Sequence, residues 1–71
     1  MTKEKIGIIS ELIDKNNGII IDDDGIEYLL SSSDLLANFE LKLGLKVIFK
    51  PYISIVNNYE IKQAVLVELF N

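Results

Sequence analysis

The sequence predicts an all-β domain in which five short antiparallel strands close into a barrel, with one short helical turn after the third strand. Three observations predict it. Isoleucine and other β-branched residues dominate a series of short apolar runs. Clusters of Gly, Asn and Asp separate those runs and carry turn chemistry. The length, 71 residues, is enough for one small core, so residues 1–71 read as a single domain.

The first strand is expected from Lys5 to about Ile13, and Asp14-Lys15-Asn16-Asn17-Gly18 then turns the chain. Ile19-Ile20-Ile21 open the second strand, and Asp22-Asp23-Asp24-Gly25 is a hairpin signal. The third strand, Ile26 to Leu30, runs into Ser31-Ser32-Ser33-Asp34, whose small hydroxyls suit the cap of a helical turn at Asp34-Leu35-Leu36. A loop through Phe39 reaches Gly44. The fourth strand covers Leu45 to Val56, with Pro51 implying an edge or bulge position inside it. Asn57-Asn58 makes the last hairpin, and Tyr59 to Leu69 is the fifth strand. A helix over that final segment is the competing reading. The β-branched Ile61, Val65 and Val67, behind an Asn-Asn turn, favour strand.

Composition narrows the chemistry. The chain has no cysteine and no histidine, which excludes disulfides and thiolate or imidazole metal sites. Stability must come from apolar packing, and 49% of the residues are hydrophobic, so part of that surface is expected to face a partner. The net charge is −4, with seven lysines and no arginine. An acidic chain is repelled by phosphate backbones, and without Arg it lacks the planar fork that grips phosphate or guanine. Asp22-Asp23-Asp24 could hold a hard cation, but Asp-Gly is ordinary turn chemistry and the turn is the better reading. Ser31-Ser32-Ser33 has no histidine to act as base, so a cap is preferred to a nucleophile. No enzyme activity and no cofactor are expected. The start, Met1-Thr2-Lys3-Glu4-Lys5, leads into an apolar stretch broken by Ser10 and Glu11, which is not a secretory signal. No run is long enough to span a bilayer. A cytoplasmic protein without a membrane partner is the expectation.

Several stretches resemble the cold-shock domain family, and together they cover nearly the whole chain. Gly7-Ile8-Ile9 matches the family's Gly-Thr-Val opening, and Lys15-Asn16-Asn17-Gly18-Ile19-Ile20 stands at its Lys-Gly-Phe-Gly-Phe-Ile strand. Glu27 to Ser33 stands at Asp-Val-Phe-Val-His-Phe-Ser. Leu41, Gly44, Val47 and Phe49 meet the spacing Leu-x-x-Gly-x-x-Val-x-Phe, and Gln63, Ala64 and Val67 meet Gln-Ala-x-x-Val. The resemblance implies an oligonucleotide/oligosaccharide-binding (OB) barrel of the cold-shock type, with Val47 and Phe49 pointing inward as core.

It also implies a binding surface. In that family, rings on the outer face of the first three strands stack on unpaired bases, at about 1–3 kcal/mol each. Those positions fall here on Glu11, Asn17, Ile19, Leu29, Ser31 and Ser32, and none is aromatic. Lys15 matches the family's lysine, Gly18 its second glycine, and Phe39 its loop phenylalanine. Tyr52 and Tyr59 could offer rings near the last hairpin. Lys46, Lys50 and Lys62 could form a basic stripe, or could simply be solvated. Ile19 and Leu29, with Ile21 and Ile48, read equally well as a satellite apolar cluster or as an interface.

Two functions from different classes follow. The first is a cold-shock-like protein that binds single-stranded RNA or DNA weakly, through Lys15, Asn17, Gly18, Ile19, Leu29, Ser31, Ser32 and Phe39. The second is a protein-interaction or self-association module, with a protein partner or a homodimer on the Ile19/Leu29 face.

Overall fold

The computed structural model describes residues 3–70. Five strands form a closed barrel: β1 (Lys5–Asp14), β2 (Asn17–Asp22), β3 (Glu27–Ser31), β4 (Lys46–Val56) and β5 (Tyr59–Leu69). Their order around the barrel is β1-β2-β3-β5-β4, closing back on β1, which is the OB arrangement the sequence predicted. Four of the five seams are antiparallel; β3 and β5 meet in parallel, at Leu29 and Gln63. Among the described residues, that short seam is the one parallel contact between the strands of an otherwise antiparallel barrel. The chain leaves β3 through a long connection, so β5 can approach β3 running in the same direction. No helix among the described residues is long and apolar enough to cross a membrane.

The local chemistry explains the boundaries. Asp14 accepts the Asn16 backbone N–H at 2.8 Å and the Asn17 side-chain amide at 3.0 Å, which confines the first turn to Lys15-Asn16. Consequently β2 begins at Asn17, and Gly18, expected in the turn, lies within the strand. Ser31 caps the helical turn as expected, its hydroxyl accepting from the Ser33 N–H. The turn itself occupies Ser32–Asp34, earlier in the chain than the Asp34-Leu35-Leu36 expectation. Asn57 and Asn58 both take positive φ, 51° and 68°, the type I′ geometry that matches strand twist in a two-residue hairpin. Pro51 sits just past the stretch where β4 pairs with β1, Lys46 to Phe49, and so on an edge as its chemistry demands.

Alternation along the strands builds the core. Ile9, Ile20, Tyr28, Leu30, Leu41, Val47, Phe49, Ala64 and Val67 are buried together, Val47 and Phe49 among them as predicted. The Tyr28 and Phe49 rings lie 5.0 Å apart and tilted at 60°, a favourable aromatic arrangement. Their strand neighbours point outward.

Candidate binding face

Register places the outward residues of neighbouring strands side by side. Glu11 stands opposite Ile19, Ile19 opposite Leu29, Leu29 opposite Gln63, and Gln63 opposite Tyr52. One row therefore crosses β1, β2, β3, β5 and β4. On one side of it Asn17 faces Ser31. On the other, Ile8 faces both Ile21 and Lys46, Ile21 faces Glu27, and Ile6 faces Ile48. Leu29 is 46% exposed and Ile8 45%, so this is surface and not a covered cluster. Of the sequence-predicted candidates, Asn17, Ile19, Leu29 and Ser31 are brought together here.

The other candidates lie elsewhere or serve other ends. Lys15 is exposed in the β1–β2 turn. Gly18 is buried opposite Leu12, and a Cβ there would sit 2.6 Å from the Glu11 carbonyl oxygen, so its bareness serves strand contact at the bulges of β1. Ser31 spends its hydroxyl on the helical turn, and the Ser32 N–H donates to the Asn16 carbonyl at 2.7 Å, tying the first turn to the end of β3. Phe39 is half-buried with its side chain packed against the core. It is not a ring held out from the loop.

The charges around the face are mostly acidic or already engaged. Glu11, Asp14 and Glu27 border it. The Asn16 N–H and the Asn17 amide hold the Asp14 carboxyl below its ordinary value, keeping it ionised. Lys62 lies 2.7 Å from Glu60, whose carboxylate raises the Lys62 pKa by hydrogen bond and charge. Lys62 stands opposite Ile53, on the side of the β4–β5 ribbon that carries buried Ala64, whereas Lys50 stands opposite Val65 on the other. The three-lysine stripe is thus not formed. Lys46 rests 5.1 Å above the Phe70 ring.

A search of known family models and of curated proteins finds no match to this chain.

Sequence reasoning missed the role of Asp22, because its partners are remote in sequence. Its side chain is fully buried. One oxygen accepts the backbone N–H groups of Asp24 and Ile26, each at 2.9 Å; the other accepts Lys5 Nζ and the Tyr28 hydroxyl, each at 3.2 Å. Burial pushes its pKa up, but these donors outweigh burial and hold it below the ordinary value. The carboxylates of Asp22, Asp23 and Asp24 are close enough to share a cation, within 4.8 Å. Both Asp22 oxygens are nevertheless occupied in locking the β2–β3 hairpin, which supports the turn reading.

Proposed function

We propose that this chain is a non-catalytic, cytoplasmic binding module that presents the outer face of β1–β3 to a protein partner. The observation that carries the reading is the contiguous aliphatic surface of Ile6, Ile8, Ile19, Ile21 and Leu29, bordered by Glu11 and Glu27 and, beside Ile8, by Lys46. Exposed apolar surface with a charged rim is the composition of a protein interface. A surface for single-stranded nucleic acid needs rings for the bases and free cations for the phosphates. Here Ile19 and Leu29 stand where the cold-shock resemblance expects rings, and Glu11 ends their row.

A site-specific photo-cross-linker at position 29, used in cells, tests the proposal. A discrete protein adduct, absent with the cross-linker at exposed Leu43 and lost with Ile8→Lys, is expected. An RNA adduct, or no adduct above the Leu43 control, overturns it.

Single-stranded nucleic acid remains the second reading, favoured by the near full-length cold-shock resemblance and by two tyrosines. Tyr52 and Tyr59 are 55% and 75% exposed, and strand parity puts both on the ribbon side continuous with Leu29 and Gln63. A titration with single-stranded oligonucleotides at low and high salt decides it. Micromolar binding that weakens with salt and with Tyr52→Ala supports it; no binding at low salt removes it.

A further inference from the structure

Beyond Phe49, β4 leaves β1 and runs on as one strand of a two-stranded ribbon with β5. Among the described residues nothing pairs with the other edge of β4 from Lys50 to Val56. The direction of its backbone groups follows from the register. The Leu45 carbonyl accepts from Ile9 of β1, while the Lys46 carbonyl accepts from Phe70 on the β5 side. Odd-numbered residues of β4 therefore turn their N–H and C=O toward the β1 edge, and even-numbered ones toward β5. The tight turn agrees, since it makes Val56 and Tyr59 a hydrogen-bonded pair. Past Lys5 opposite Phe49, the next odd residue is Pro51, which has no N–H. Ile53 and Ile55 follow, each with an unpaired donor and acceptor facing out.

We infer that this edge pairs with the same edge of a second copy, antiparallel, about a two-fold axis at Ser54. Ile53 of one copy then faces Ile55 of the other, and each such pair exchanges two backbone hydrogen bonds, about four in all. The segment is self-complementary. It carries no charge from Pro51 to Val56, so no like charges meet, and beyond Pro51 it has neither the lysine nor the proline that blunts an exposed edge. On one side the two copies join four isoleucine side chains, now 52% exposed at Ile53 and 74% at Ile55. The Glu60–Lys62 pair stands opposite these residues on β5, giving the cluster a charge-balanced rim in both copies. On the other side Tyr52 meets Val56 of the second copy, and the small Ser54 lies on the axis, where side chains approach most closely. Pro51 ends the pairing at the barrel end of the ribbon, which limits it to one closed pair of chains. The interface is small by the standard of permanent dimers, so an equilibrium in the micromolar range is expected. This inference does not rest on the preceding reading, because Ile53 and Ile55 lie off the Ile19/Leu29 row.

Sedimentation equilibrium over a concentration series, with a cysteine probe, tests it. The mass should rise from the single-chain 8.0 kDa toward twice that value. Ile55→Lys should hold it at one chain, and Leu29→Lys should leave it unchanged. Ser54→Cys, the only thiol present, should form a disulfide-linked dimer at least about tenfold faster than Leu43→Cys, because residues opposed without hydrogen bonds are spaced for a disulfide. A single-chain mass at every concentration overturns the inference. So does growth beyond two chains, growth untouched by Ile55→Lys, or equal oxidation of the two cysteine variants.

Discussion

Tyr28 donates its hydroxyl proton to the Asp22 carboxylate at 3.2 Å, directly beneath the turn that joins β2 to β3. The same oxygen accepts Lys5 Nζ, so the start of β1, the end of β2 and the start of β3 meet at one buried anion. Asp22→Asn removes the charge and one acceptor, leaving donors without a proper partner. The expected loss is about 2 kcal/mol at neutral pH, measured by denaturant unfolding with an unchanged m-value. A loss under about 0.5 kcal/mol would show that the cluster contributes little.

That cluster also sets the response to pH. The folded pKa of Asp22 is depressed, so its stabilisation is present above the ordinary carboxylate value of 3.8 and is lost as pH falls through the folded value. Tyr28 is raised, first by burial and then by the Asp22 charge, and Lys5 is raised by its bond to Asp22. Their contributions hold below 10.0 and 10.5 and are lost as pH climbs through the folded values. Thermal midpoints plotted against pH should fall on both flanks, and Asp22→Asn should flatten the acid flank. An unaltered acid flank in that variant would assign acid unfolding to other carboxylates.

Gly7 is a close-packing position. A Cβ there would meet Ile20 Cγ2 at 2.6 Å and the Ile21 carbonyl oxygen at 2.7 Å, with Phe49 just beyond. The carbonyl belongs to the paired strand and cannot retreat without breaking register. Gly7→Ala should cost about 1–3 kcal/mol as overpacking, read as a lower denaturant midpoint. A wild-type midpoint would mean that β1 and β2 can part without penalty.

Leu66 adopts φ of 52°, unusual for a bulky residue, and sits where β5 carries one residue more than β4 between the Ile48–Glu68 and Lys50–Val65 pairs. This bulge bends β5 just past its contact with β3 at Gln63, within its pairing to β4, which holds on both sides of the bulge. Left-handed backbone costs a non-glycine residue roughly 1–2 kcal/mol, and Asn bears it better than Leu. Leu66→Asn should therefore raise stability by about 0.5–1 kcal/mol, and Leu66→Val should lower it. The reverse order would show that the Leu66 backbone is not strained.

Most of the barrel was legible because turn chemistry is local. Asp14, the Asp24-Gly25 pair and Asn57-Asn58 each mark a chain reversal within a few residues, and β-branched runs fill the intervals. What escaped depends on distant partners. Nothing near Leu66 announces a bulge, since the extra residue shows only when β5 is laid against β4. The Asp22 triplet reads as a turn until Lys5 and Tyr28 are folded onto it. Phe39 looked like an offered ring because its burial against the core is set by where the long loop settles. The site was half legible: strand parity puts Ile19 and Leu29 outward, but only the β3–β5 seam shows that their row runs on to Gln63 and Tyr52.

That row permits a constructive test of how far the absence of rings limits nucleic-acid affinity. Glu11, Ile19 and Leu29 are direct cross-strand neighbours, so rings placed at all three would form one continuous platform. Base–ring stacking supplies about 1–3 kcal/mol per base, and replacing Glu11 also removes a charge that repels phosphate. The triple variant Glu11→Trp, Ile19→Phe, Leu29→Phe should bind single-stranded DNA at least about tenfold more tightly than the parent chain. Fluorescence of the new tryptophan should report it, quenched on binding as bases stack. Because all three positions are outward, folding should survive, and circular dichroism checks that separately. A folded triple variant with no gain in affinity would show that the missing rings do not set the affinity and would point to the acidic border instead. Adding Glu27→Lys to the same variant should then raise the affinity.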